Sequence, residues 1–273
     1  MSRTKLLLIV GYLLLVAVGT IFYIQYFQTD RVVFFAVGQG DSEFFRTTRG
    51  ETVLIDGGPS NAVLTQIGKF MPFWERDLDL VILTHPHADH VTGLVEILKR
   101  YQVKKIIMTG VSHTAPQYLE FLEIIKEQKI PVEIALAGEK EEVGNVKIKI
   151  LFPEENLASG EVEDLNTASL VVQIDFLNKK FLMLGDADFS VEDELVQKYG
   201  PDLQSDFIKI GHHGSRFSTG DEFLKIVKPQ IAVICVGENS FGHPSLRTLN
   251  RLERAGIEVK RTDVAGNVVF ENK

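Results

Sequence analysis

The chain reads as an α/β fold carried behind a single membrane-spanning helix. Three observations predict this. Apolar segments of strand length interleave with segments of helical spacing from residue 31 onward. Several of the strand segments are apolar throughout, as expected where helices cover both faces of a sheet. Ahead of them, Leu6 to Ile24 carries no charged residue. With 273 residues, 45% of them hydrophobic, a substantial core is expected. No internal repeat or low-complexity linker interrupts the chain, so the expected division is an anchor over 1–30 and one domain over 31–273.

The anchor comes first. At ~1.5 Å per residue, a helix from Leu6 to Ile24 spans about 28 Å, close to the hydrocarbon thickness of a bilayer. Arg3 and Lys5 precede the run, while Asp30 and Arg31 beyond it roughly cancel, which places the N-terminus inside and the domain outside the cytoplasmic membrane. A cleaved signal peptide is the competing reading, since Ala17-Val18-Gly19 offers small residues. The apolar run continues through Ile21 to Ile24, which fits a retained anchor better.

Arg31 to Phe35 is then a β-rich run leading into the turn Val37-Gly38-Gln39-Gly40-Asp41. Phe44 and Phe45 resume extended chain, and Thr52 to Ile55 is a strand that ends in Asp56. The uniformly apolar Leu78 to Leu83 empties into Thr84-His85-Pro86-His87-Ala88-Asp89-His90, and Thr92 to Arg100 has helical spacing. Further strands are expected at 105–108, 132–135, 146–151, 170–176, 181–184, 207–210, 231–236, 258–261 and 267–270. Helices are expected at 62–70, 116–128, 191–199, 222–227 and 246–255. Glu139 to Glu142 and Glu154 to Asp164 are acidic and Gly-containing, and read as solvated loops.

Six of the seven histidines fall in three clusters, each following a strand. His85, His87, Asp89 and His90 crowd into six positions, and such groups need partners when buried. Two residues apart on extended chain, His85 and His87 can point the same way and serve one ion, while Asp89 and His90 on the next turn serve a second. Mixed imidazole and carboxylate donors suit zinc, manganese or iron. Asp186 ends the strand 181–184; Asp188 or Ser190 can cap the following helix, leaving Asp186 free to bridge two cations. Adjacent His212 and His213 point to opposite sides if extended; His212 is assigned as ligand and His213 as the group facing substrate. His243 is assigned to complete the second ion. His113, isolated in a turn, reads as surface. Cys235, the only cysteine, lies in an apolar run and reads as core.

These motifs resemble the metallo-β-lactamase superfamily. Val37 to Asp41, Leu54 to Gly58, Thr84 to His90, Leu184-Gly185-Asp186, His212 to Ser215 and Gly242-His243-Pro244 are similar to the hydrolase domain of the competence protein ComEC. The resemblance implies a four-layer αββα sandwich with two divalent metal ions, zinc or manganese, at one edge of its sheets. Asp89 and His213 are the expected catalytic residues, and Asp56 and Asn166 are expected to orient the ligands from behind. Asn166 stands where many superfamily members place a histidine ligand, a place His212 is expected to fill.

The implied function is an outward-facing, metal-dependent phosphodiesterase acting on DNA during uptake. A net charge of -8 opposes non-specific nucleic-acid binding, so DNA requires a local basic patch. Arg216 and the trio Arg247, Arg251 and Arg254, spaced to share one helix face, are the candidates. The alternative is a phosphocholine esterase, lactonase or other small-ester hydrolase of the envelope, which aromatic residues at the metal cleft would favour.

Overall fold

The computed structural model describes residues 2–27, 29–158 and 162–272. The first of two seven-stranded sheets runs, in spatial order, Val268–Glu271, Arg31–Phe34, Glu43–Arg46, Thr52–Ile55, Leu80–Leu83, Ile106–Met108 and Val132–Ile134. Its first four strands are antiparallel neighbours, and from Thr52–Ile55 onward they run parallel. The second runs Lys140–Val143, Val146–Phe152, Val171–Phe176, Lys179–Met183, Phe207–Lys209, Ile231–Ile234 and Glu258–Arg261. Here too the first four are antiparallel and the last four parallel.

Strand alternation assigns each side chain to a layer. In Leu80–Leu83, Leu80 and Ile82 pack between the sheets with Phe45, Phe181 and Met183. Val81 and Leu83 face Leu94, Val95 and Phe121 of the helices Ala88–Leu98 and Pro116–Gln128. In Lys179–Met183, Leu182 turns instead toward Val191, Leu195 and Leu224, on the helices Phe189–Tyr199 and Asp221–Val227. Helices on each outer face and two sheets between them make the expected αββα sandwich.

Direction then positions the site. Thr52–Ile55, Leu80–Leu83, Lys179–Met183, Phe207–Lys209 and Ile231–Ile234 all belong to the parallel parts, and each delivers its motif at its carboxyl end. The five motifs therefore meet along one edge, where open α/β sheets bind ligands. Arg31 starts a strand parallel to Thr52–Ile55, so the chain enters the sandwich at the opposite edge.

The N-terminal helix Arg3–Phe27 precedes that entry point. Its Arg3–Tyr23 part is long and apolar enough to cross a membrane, and none of it is buried against the rest of the chain.

Most strand limits fall within a residue or two of expectation. The acidic segment at 139–142 does not form a loop. Lys140–Val143 is an edge strand, paired to Val146–Phe152 through a hairpin. An edge is where charged strands are tolerated, because one side stays in water. The expected strand 78–83 is split: Leu78 belongs to the short pair Asp77–Leu78 and Gln102–Val103, and the helix Thr262–Ala265 carries no periodic signal. Of the acidic stretch 154–164, residues 159–161 lie outside the described residues.

Phe181 ties the layers together. Its ring stacks on Phe207 at 4.6 Å and meets Phe45 edge-on at 5.9 Å, fully buried. Phe181→Ala is expected to cost about 3–5 kcal/mol, read as a lower denaturant midpoint with an unchanged slope.

Candidate metal centre

The loop after Leu80–Leu83 is organised by a carboxylate from the neighbouring strand. Asp56, fully buried at a positive φ of 53°, accepts from the Thr84 backbone N–H at 2.8 Å and the Thr84 hydroxyl at 2.6 Å. His90 Nδ1 donates to the same carboxylate at 2.7 Å. With its proton given to Asp56, Thr84 Oγ1 can only accept from His85 Nδ1, 3.1 Å away. Both histidines are thereby held with Nδ1 protonated and Nε2 turned toward Asp186. Such bonding behind a ligand fixes its tautomer and ring angle. The helix Ala88–Leu98 approaches this turn so closely that a Cβ on Gly93 would stand 1.8 Å from the Gly57 carbonyl oxygen. Only glycine fits there.

Asp186 is the point of convergence. Its oxygens lie 3.4 Å from His90 Nε2, 3.9 Å from His85 Nε2, 3.6 Å from His213 Nε2 and 3.8 Å from His212 Nε2. His85 Nε2 faces His87 Nδ1 at 2.9 Å. Two donor groups result, each with its ligand atoms within 4.8 Å of one another: His85, His87 and Asp186; and Asp89, His90, Asp186 and His213. Asp186 belongs to both. His90 Nε2 and Asp186 Oδ1 are buried without a hydrogen-bond partner, an unusual state for polar atoms. Imidazole and carboxylate donors oriented this way fit divalent cations.

The charges within the cluster reinforce that fit. Burial, aided by His90, drives His85 well below the ordinary imidazole range, leaving it neutral. Burial also opposes charge on His90 and His213, but the carboxylates win there. Asp186 and Asp56 raise His90 well above its usual value, and Asp186 and Asp41 lift His213 to about 10. Asp186 is held well below the carboxylate range, against its burial, chiefly by His213 and His90. The buried acids draw positive charge toward the Nε2 atoms.

Beneath the donors lies a second tier. Asp41 Oδ1 is 3.2 Å from His213 Nδ1, which also bonds the Cys235 carbonyl at 2.8 Å. Lys209, 1% exposed, pairs with Asp41 and donates to the Gly185 carbonyl at 2.7 Å. One buried cation thus joins the acid under His213 to the backbone that carries Asp186. Glu43, packed near Asp41, is pushed well above the carboxyl range by burial and by Asp41.

The structure corrects several expectations. His212 and His213 are not extended: both take left-handed backbone, at φ 47° and 51°, so alternation does not govern them. Buried His213 joins the Asp89 and His90 group, while His212, with 30% of its side chain exposed, stands beside Asp186. His243 enters neither donor group among the described residues; its ring lies 5.5 Å from that of His212. Asn166 sits on the 3₁₀ turn Leu165–Ala168, its side-chain oxygen buried without a hydrogen-bond partner among the described residues. Arg251 is buried and donates to the carbonyls of Ser218, Thr219 and Arg216, and Arg254 pairs with Asp221. The expected three-arginine face therefore loses its middle member to the interior, while Arg247 and the paired Arg254 stay exposed, as does Arg216.

Asp41, Thr84 and Lys209 were overlooked as site residues. A lysine inside the apolar run 207–210, next to a double histidine, was the available signal. His113 also comes closer than a surface reading implies, with its ring 6.3 Å from that of His87.

Removing one partner of a buried ion pair is costly. Lys209→Met is expected to destabilise the chain by about 3–5 kcal/mol, with most of the loss recovered in the Asp41→Asn, Lys209→Met double variant. A denaturant double-mutant cycle checks this. Asp41 is buried, but Lys209 and His213 hold it below its ordinary value of 3.8. Its contribution is therefore present above that pH and lost as the pH falls through its lowered folded value. Native chain should lose that increment on acidification and Asp41→Asn should not.

Residues 36–238 match the family model of the metallo-beta-lactamase superfamily. ComE operon protein 3 of Bacillus subtilis is 29% identical over 256 residues, covering 87% of this chain and 32% of that protein. Competence protein ComA of Neisseria gonorrhoeae is 30% identical over 234 residues, covering 85% and 31%. The chain thus spans about a third of the length of these relatives. Among solved structures, the metallo-beta-lactamase fold protein YhfI of Bacillus subtilis superposes with a TM-score of 0.60 at 13% identity, over 89% of this chain and 100% of that one. That likeness concerns the fold alone. The chain belongs to the metallo-beta-lactamase superfamily, and its relatives are ComEC-like competence proteins.

Proposed function

We propose that the chain is a membrane-anchored, outward-facing, dinuclear metal-dependent phosphodiesterase that cleaves DNA in connection with its uptake. The observation that carries the reading is the sharing of Asp186 between two donor groups. In this reading residues 1–30 are the anchor and 31–273 the hydrolase domain. His85, His87 and Asp186 hold one cation, and Asp89, His90, Asp186 and His213 hold the other. Two such cations, zinc or manganese, supply Lewis acidity and bring the pKa of bound water from about 16 toward about 7.

The chain's own residues do the rest. Asp56 and Thr84 hold Nδ1 of His90 and His85, and the Cys235 carbonyl holds that of His213, so each ring turns its Nε2 toward Asp186. Asp89, with 32% of its side chain exposed, is the acid of its group that opens to solvent. In this reading Asp89, whose Oδ2 lies 3.2 Å from His213 Nε2, orients an incoming water from its exposed side. His212 exchanges roles with His213: exposed beside Asp186, it faces the substrate and assists the leaving oxygen. The cationic residues before the apolar run favour an outward domain.

The competence-protein relatives and the resemblance to the ComEC hydrolase domain are consistent with a nucleic-acid or phosphodiester substrate. A specific observation favours the small-ester alternative. Arg251 is engaged internally and Arg254 is paired with Asp221, while Phe241, 71% exposed, stacks beside His243 at 6.0 Å.

The test uses the full chain in lipid or detergent, loaded with zinc or manganese, on single-stranded DNA, double-stranded DNA and a bis-phosphodiester. DNA cleavage is expected; ester cleavage with no DNA cleavage under either metal overturns the nuclease reading. Asp186→Asn is expected to remain folded and lose all activity, and unchanged activity refutes the metal mechanism. His213→Ala should bind one cation fewer, whereas His212→Ala should keep both and lose turnover.

A further inference from the structure

Phe73 and Trp74 are 78% and 58% exposed, unusual for two adjacent large aromatic rings. They lie in the turn at 71–76, between the helix Ala62–Ile67 and the strand Asp77–Leu78. This turn belongs to the edge opposite the metal centre. Glu75 bonds Arg46 at 2.7 Å, and Arg46 is in register with Arg31, where the chain enters the sandwich.

The ring of Trp74 lies 5.7 Å from that of Tyr23, and Phe73 stands edge-on to Trp74 at 4.8 Å. Tyr23 closes the stretch that is long and apolar enough to cross a membrane. A residue at the end of such a span sits where hydrocarbon gives way to head groups, and rings in contact with it share that depth. Tryptophan favours this zone, because its ring is apolar and its N–H still finds a polar partner.

We infer that the turn at 71–76 is a second membrane contact, with Phe73 and Trp74 seated in the head-group zone of the bilayer. This rests on the anchor reading of the N-terminal helix. A domain held at both the helix and this turn cannot swing freely on its tether. Its metal-bearing edge is kept facing away from the lipid.

Trp74 is the only tryptophan, so its emission reports this contact without labelling. The full chain is reconstituted in liposomes whose lipids carry a spin-label quencher either near the head group or near the acyl-chain end. Membrane retention at alkaline pH is measured on the same samples. The expected result is retention, with most Trp74 emission lost to the shallow quencher and far less to the deep one. Phe73→Asp is expected to be retained but to lose the shallow quenching, since a carboxylate does not seat in lipid; unchanged quenching in that variant counts against the contact. A retained chain whose Trp74 escapes both lipid quenchers overturns the inference and leaves the anchor reading standing. If that emission is also shielded from a water-soluble quencher, a second copy or protein partner covers the turn instead. Release from the membrane at alkaline pH overturns the anchor reading, and the inference with it.

Discussion

Asp41, Asp56 and Asp186 are buried at one edge of two sheets, with Asp89 half-buried beside them, and the need to compensate that charge organises everything around them. Buried carboxylates persist only when paired or hydrogen-bonded. Asp56 is satisfied by Thr84 and His90, and in being satisfied it sets two ring tautomers. Asp41 is charge-paired with Lys209 and His213, although neither of its oxygens has a hydrogen-bond partner among the described residues. Asp186 is surrounded by imidazole nitrogens at 3.4–3.9 Å, yet one of its oxygens has no hydrogen-bond partner. The remaining demand for positive charge is what two divalent cations would meet.

The layering makes this economy possible. The parallel strands in each sheet bring their carboxyl ends to one edge, so residues as distant as Asp89 and His213, 124 positions apart, need only short loops to meet. Phe181 and its ring partners hold the sheets in register behind the site, and Lys209 reaches between the Asp41 turn and the Asp186 turn.

Much of this was legible in the chain. Apolar runs that stop at an acid or histidine are the clearest local signal, because a strand buried on both faces tolerates polar groups only at its ends, and Asp56, His85 and Asp186 stand just past such ends. The order of His212 and His213 was not legible, since it depends on the sign of φ at two residues without a glycine to mark it. Arg251 carries the same signature as a solvent-facing arginine, and only the tertiary fold reveals that carbonyls from 216–219 surround it. The edge strand Lys140–Val143 was missed because half its side chains stay in water. Asp41 and Lys209 form a pair 168 residues apart, and no local pattern announces such a contact.

The central claim is that Asp186 stands between two cation positions. Anomalous X-ray diffraction from crystals of the full chain grown with zinc tests it most directly. The account requires two peaks flanking Asp186, one against His85 and His87 and the other against Asp89, His90 and His213. A single peak, or a second peak held by His243 in place of His213, would contradict it.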